Sequence, residues 1–164
     1  MDSSELRRAI RSDSELFARC NGVYPYDLML KKQIGISIVN LDGHKQPGSH
    51  WVVVNTMRNG VAEVFDSYSG IPAQLQRQLK DYDTTFSNKQ VQGSISTTCG
   101  QHSLFYCYHR CRGVGFTQIL KTYTNDTEEN DRMVCRFVED TFSIETQPID
   151  EDFMMVQLSR ALKI

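Results

Sequence analysis

Apolar and polar positions divide the chain into a short helical start, a strand-rich middle and a helical second half. Leu6, Ile10 and Leu16 recur at near-helical spacing behind a Ser/Asp cap region, which predicts a helix over residues 5–11. Residues 21–32 show no clear period. Three runs rich in Val, Ile and aromatics, at 34–41, 51–57 and 61–68, read as strands, and Arg58-Asn59-Gly60 between the last two predicts a hairpin turn. Pro72 opens an amphipathic segment over 73–80 with Leu75 and Leu79 at i, i+4, and a short extended piece follows over 84–92. Beyond Thr98 the pattern is helical, over 99–111, 116–123, 127–142 and 152–162. The predicted class is α+β, with a central mixed or antiparallel sheet flanked by helices. No repeat or Pro/Gly-rich linker divides the chain, and the four prolines are scattered, so residues 1–164 are expected to form a single domain.

Composition narrows the classes. A chain of 164 residues can bury a sizeable core. No apolar run approaches the ~20 residues a bilayer span needs, and the acidic, polar start Met1-Asp2-Ser3-Ser4-Glu5 does not resemble a signal peptide. Neither membrane insertion nor secretion is expected. Five cysteines, an odd number, point to reduced thiols in a nuclear or cytoplasmic setting rather than a disulfide framework. A net charge of −2 lacks the basic footprint of a dedicated nucleic-acid binder, which leaves DNA a weakly supported partner.

Four residues are candidates for chemistry: His50 entering a strand, Asp66 ending its partner strand, Gln92 in a turn, and Cys99 at a helix start. Each has an ordinary structural explanation alone, since buried cysteines are mostly small hydrophobes and an Asp after Phe65 can simply open a turn. Their combination says more. A thiol at a helix N-terminus is acidified by unpaired N–H groups, and the thiolate is the attacking species. The Cys99 N–H would also face the oxyanion formed when sulfur adds to a carbonyl, with Gly100 keeping bulk away. His50 would pair with the thiolate and protonate the leaving amine, oriented by Asp66. His50 and Asp66 share a sheet face only if paired residue numbers across the hairpin have an even sum. That register requires a three-residue loop, 58–60, with Gly60 left-handed; a two-residue Asn59-Gly60 turn would separate the pair.

Ile38-Val39-Asn40, Gly48-Ser49-His50-Trp51, Val64-Phe65-Asp66 and Val91-Gln92-Gly93, then five residues before Cys99-Gly100, together resemble the adenain family of cysteine peptidases, within the wider group that includes SUMO-specific proteases. The resemblance spans roughly residues 1–112, and the order His, acid, Gln, Cys is the family's. It implies a Cys-His-Asp triad with Gln92 as oxyanion donor and no cofactor for the chemistry. It also implies protein substrates cut near glycine: viral structural precursors, or alternatively ubiquitin-like tails in a deconjugating enzyme. A host nucleus or cytoplasm and the virion would be its locations. The chain departs from adenain in carrying Asp66 where adenain has Glu, and in lacking a cysteine over residues 81–90, where adenain's activating peptide attaches. It is also acidic where adenain is basic and uses DNA. A peptide or DNA activator is therefore left open without support from the residues.

The remaining His and Cys residues fit structural roles. Cys107 and Cys111 share a helix face, but no second Cys/His pair at zinc spacing accompanies them, so core packing is expected rather than a metal. His44 reads as a loop residue and His102 as lying behind the nucleophile. The acids from Asp126 to Asp131 read as a solvated helix start.

Overall fold

The computed structural model describes residues 1–29, 33–46 and 48–145; the predicted helix over 152–162 lies outside them. Two short helices, α1 (Ser3–Ser12) and α2 (Ser14–Arg19), lead into β1 (Cys20–Pro25). Asp2 caps α1, its carboxylate accepting the Ser4 and Glu5 N–H groups while Glu5 returns a bond to the Asp2 N–H. The strands β2 (Gly35–Asn40), β3 (Trp51–Thr56) and β4 (Val61–Phe65) follow, then α3 (Ala73–Gln78), β5 (Asp83–Phe86), α4 (Cys99–Cys111), α5 (Phe116–Lys121) and α6 (Thr127–Phe142). The expected extended piece over 84–92 is thus a four-residue strand, and β1 runs into the segment from residue 21 that showed no clear period.

The five strands stand in sequence order, β1–β5. The three central strands pair antiparallel, while β1 joins β2 and β5 joins β4 in parallel, so the sheet is mixed. Both faces are covered. Val23, Ile36, Ile38, Val53 and Phe65 pack with Leu6, Leu16, Leu104, Tyr106, Ile119 and Val134 from the larger helical layer. On the other face Val39, Val52, Val54, Ala62 and Val64 meet Leu75 and Leu79 around α3. That double burial explains why β3 reads as a continuous apolar run from Trp51 to Val54 rather than an alternating one.

The hairpin register is the one that puts His50 and Asp66 on the same sheet face. Val53 pairs with Phe65 and Thr56 with Ala62, and the Met57 N–H donates to Val61 O, leaving residues 58–60 as the loop. Gly60 takes φ +79° there, which an L side chain reaches only with strain. On the helical side, buried Glu63 anchors α4 to β4, accepting Tyr106 Oη–H at 2.8 Å and two bonds from the Arg110 guanidinium at 2.9 and 3.0 Å. Glu63 also accepts from Asn55 Nδ2, so all its strong bonds are internal. Arg110 and its bonded neighbours hold the Glu63 carboxyl below its ordinary range despite burial, which otherwise raises it.

Candidate active site

His50 and Asp66 each lie one residue beyond a strand, His50 before β3 and Asp66 after β4. By register they belong nominally to the α3 face, whereas Cys99 begins α4 on the opposite one. Their position past the strand ends resolves this, because the three groups meet at the end of the sheet. Asp66 is fixed there by Ser87, whose hydroxyl accepts the Asp66 N–H at 2.9 Å and donates to Asp66 O at 2.7 Å.

His50 Nε2 lies 2.8 Å from Asp66 Oδ1, which also accepts the Tyr68 N–H at 2.8 Å. With Nε2 committed, Nδ1 is the ring nitrogen left for Cys99. The Tyr68 ring packs on the imidazole at a centroid distance of 5.0 Å, and its hydroxyl donates to Ser96 O at 3.2 Å. Burial disfavours the imidazolium, but hydrogen bonds to Asp66 and Cys99 outweigh it and push His50 up to about 9. Burial likewise disfavours the Cys99 thiolate, yet the bond to His50, the imidazolium charge and the Trp51 N–H together bring the thiol below its ordinary value. The two shifts favour one state, thiolate beside imidazolium. Burial and the nearby Cys99, Asp131 and Asp66 charges push Tyr68 up to about 12, keeping its phenol a donor.

Gln92 is fully buried and lines the same cleft as Cys99. Its Oε1 accepts Ser67 Oγ–H at 2.6 Å and its Nε2 donates to Ser96 O at 2.8 Å, which fixes the amide orientation. Expected from the sequence as an oxyanion donor, Gln92 is seen to brace the 92–96 loop through this amide. Gly100 also does more than clear the approach: a Cβ there would fall 2.8 Å from Met1 Cβ and 3.5 Å from Trp51 Cδ1. The N-terminal segment packs in that space, with the Trp51 indole N–H donating to Met1 O at 3.1 Å.

A cleft of about 780 Å³ runs from Cys99, His50, Tyr68 and Gln92 past Trp51 toward Asn40, His44 and Arg7. His44, expected as a solvated loop residue, pairs with Asp27 at 2.6 Å on the cleft's outer part, with its side chain 46% exposed. Cys107 and Cys111 are buried in the core as expected, and Cys111 Sγ lies 3.9 Å from Cys20 Sγ. No group of metal-ligating residues occurs among the described residues.

One expectation fails. Asp131 is 2% exposed, not part of a solvated acidic face. Its Oδ1 accepts from His102 Nε2 at 2.9 Å and Thr98 Oγ1 at 2.6 Å, and its Oδ2 from the Gly93 N–H at 3.1 Å. Neighbouring Asn130 donates to Val91 O and Thr124 O. A signal for this existed: Asn130 and Asp131 precede buried Val134, Cys135 and Val138 by one and two turns on the same helical face.

No protein-family model matches the chain, and no curated protein matches it. Among solved structures, the central domain of the uncharacterized Lpg1148 protein from Legionella pneumophila is similar with a TM-score of 0.51 at 12% identity, over 86% of this chain and 95% of that one. The ASFV pS273R protease matches at 25% identity with a TM-score of 0.41, over 68% of this chain, which spans 45% of that protein's length. The likeness to the Lpg1148 domain concerns the fold alone.

Proposed function

We propose that the chain is a cysteine endopeptidase that hydrolyses peptide bonds through Cys99, His50 and Asp66, with Gln92 and the Cys99 N–H binding the oxyanion. The observation that carries this reading is geometric: His50, held by Asp66 at 2.8 Å, stands beside Cys99 at the start of α4 on one cleft with Gln92, and this arrangement raises the imidazole and lowers the thiol. Cys20 and Cys111 move the other way: hydrogen bonding within the Cys20, Cys107 and Cys111 cluster, together with burial, raises both.

The chemistry follows from the geometry. The Cys99 thiolate adds to the scissile carbonyl carbon, and the carbonyl electrons move to oxygen. One Gln92 Nε2 hydrogen is given to Ser96 O, leaving the second for that oxygen alongside the first N–H groups of α4. Imidazolium Nδ1–H then protonates the leaving amine as the C–N bond breaks, giving a thioester. Neutral His50 next draws a proton from water, which attacks the thioester and releases the acid and the thiolate. Asp66 holds the ring and favours its charged form throughout.

The substrate reading rests on the adenain-like motifs: glycine-containing sites in structural precursors of a virus or virus-like element. Deconjugation of a ubiquitin-like protein is the alternative. Cys99→Ala should abolish cleavage of a Gly-Gly-containing fluorogenic peptide without changing the circular-dichroism spectrum, and retained cleavage would overturn the reading. A ubiquitin-like protein bearing the same fluorophore, if hydrolysed far faster than the bare peptide, would favour the deconjugating alternative.

A further inference from the structure

Behind the nucleophile lies a second histidine–carboxylate pair that the proposed chemistry does not use. His102, one turn along α4 from Cys99, is fully buried between Asp131 and Tyr123. A carboxylate can only accept, so Nε2–H donates to Asp131 while Nδ1 takes the Tyr123 hydroxyl proton. Burial keeps this imidazole neutral, in contrast to His50. Asp131 stays ionised: burial opposes its charge, but the bonds from His102, Thr98 and Gly93 more than offset it.

The three donors are the informative feature. Gly93 follows Gln92, Thr98 precedes Cys99, and His102 lies on the nucleophile helix, so one carboxylate joins both halves of the oxyanion-binding site. A second route also reaches Gln92. Thr98 spends its proton on Asp131, so Ser96 Oγ–H is the donor in the 2.6 Å contact with Thr98 Oγ1, and Ser96 O accepts from Gln92 Nε2. Gly93 is fitted to the same carboxylate, because a Cβ there would fall 2.9 Å from Asp131 Oδ2.

We propose that Asp131 is a positioning residue for peptide hydrolysis at Cys99, locking the flanks of Gln92 and Cys99 into the arrangement that receives the oxyanion. The proposal rests on the cysteine-peptidase reading. It separates two functions: His50 and Asp66 make the thiolate, and Asp131 sets where the oxyanion donors stand. Asn at 131 must turn an amide N–H toward one of three buried donors, which displaces that flank. A displacement of about 1 Å at such a site can cost ~10² in rate.

The test measures kcat and KM on a Gly-Gly-aminomethylcoumarin peptide, the pH profile of Cys99 alkylation by iodoacetamide, and melting temperature for each protein. Asp131→Asn should lower kcat about 10²-fold with KM within about twofold and an unmoved alkylation profile. Thr98→Val should lower kcat about tenfold by the same route, and Thr98→Ser, which keeps the hydroxyl, should restore it. If Asp131→Asn does not fold, the Thr98 pair decides the matter. Lower melting temperature with wild-type kcat in the folded fraction would overturn the proposal, as would an alkylation profile that shifts along with kcat. A wild-type chain that fails to cleave would overturn the peptidase reading and this proposal with it; failure confined to the variants overturns the proposal alone.

Discussion

Replacing Asp66 by Asn isolates the charge that holds His50 protonated. The amide oxygen can keep both bonds that Oδ1 now accepts, from the imidazole and from the Tyr68 N–H, so geometry is preserved while the charge is lost. His50 stands at about 9 against an ordinary 6.5, roughly 3 kcal/mol in favour of imidazolium, shared between Asp66 and Cys99 against the cost of burial. Removing the Asp66 share should bring the imidazole down by about one to two pH units. In the wild type, kcat/KM should follow a bell whose upper limb falls as pH passes about 9, because the imidazolium that protonates the leaving amine is then lost. In Asp66→Asn that limb should move to about pH 7–8, and alkylation of Cys99 near pH 6 should slow as the ion pair weakens. The assay is kcat/KM and iodoacetamide rate on the same preparations from pH 5 to 10. An upper limb that stays in place would refute the assignment of that limb to His50 and of its elevation to Asp66. Complete loss, matching His50→Ala, would show that control of the ring tautomer outweighs the charge.

Gln92→Ala should lower kcat by ~10²–10³ and also lower the melting temperature, because the amide is the proposed oxyanion donor and braces Ser96 O; rapid Cys99 alkylation should persist, and a stability loss with unchanged kcat would remove Gln92 from the site. Gly60→Ala should cost about 1–2 kcal/mol in urea unfolding with kcat unchanged, since the loop needs φ +79° but nothing lies within 4 Å to clash; no stability loss would contradict the three-residue loop. Because folding raises His50, its contribution to stability should be fully present below about pH 6.5 and fade as pH passes about 9, and His50→Gln should flatten that part of a stability–pH curve.

The hairpin was legible because register has only two parities, and Arg58-Asn59-Gly60 supplies the loop that one of them requires. The helix α4 was legible because Cys99-Gly100 opens a long run of apolar and aromatic residues. β1 was not: Cys20-Asn21-Gly22-Val23-Tyr24-Pro25 buries only Val23 deeply and carries a glycine at φ +133° beside a register shift, so β2 and the helical layer, not local propensity, define it. Asp131 was hidden for a different reason. Acids are welcome near any helix start, so Asp126 to Asp131 reads as a dipole-stabilised surface. Only the helical phase set by Val134 and Val138 turns Asn130 and Asp131 inward, and the donors that satisfy Asp131, at Gly93, Thr98 and His102, come from distant sequence.

Nucleophilic attack by Cys99 requires a thiolate, which its pairing with His50 favours, whereas Cys20 and Cys111 are held as thiols. Mass spectrometry can follow iodoacetamide labelling of all five thiols of the native protein at pH 6. Cys99 should label first and by a wide margin, since its pairing with His50 lowers it while Cys20 and Cys111 are raised. Labelling of Cys99 no faster than the others would contradict the ion pair and, with it, the assignment of Cys99 as nucleophile.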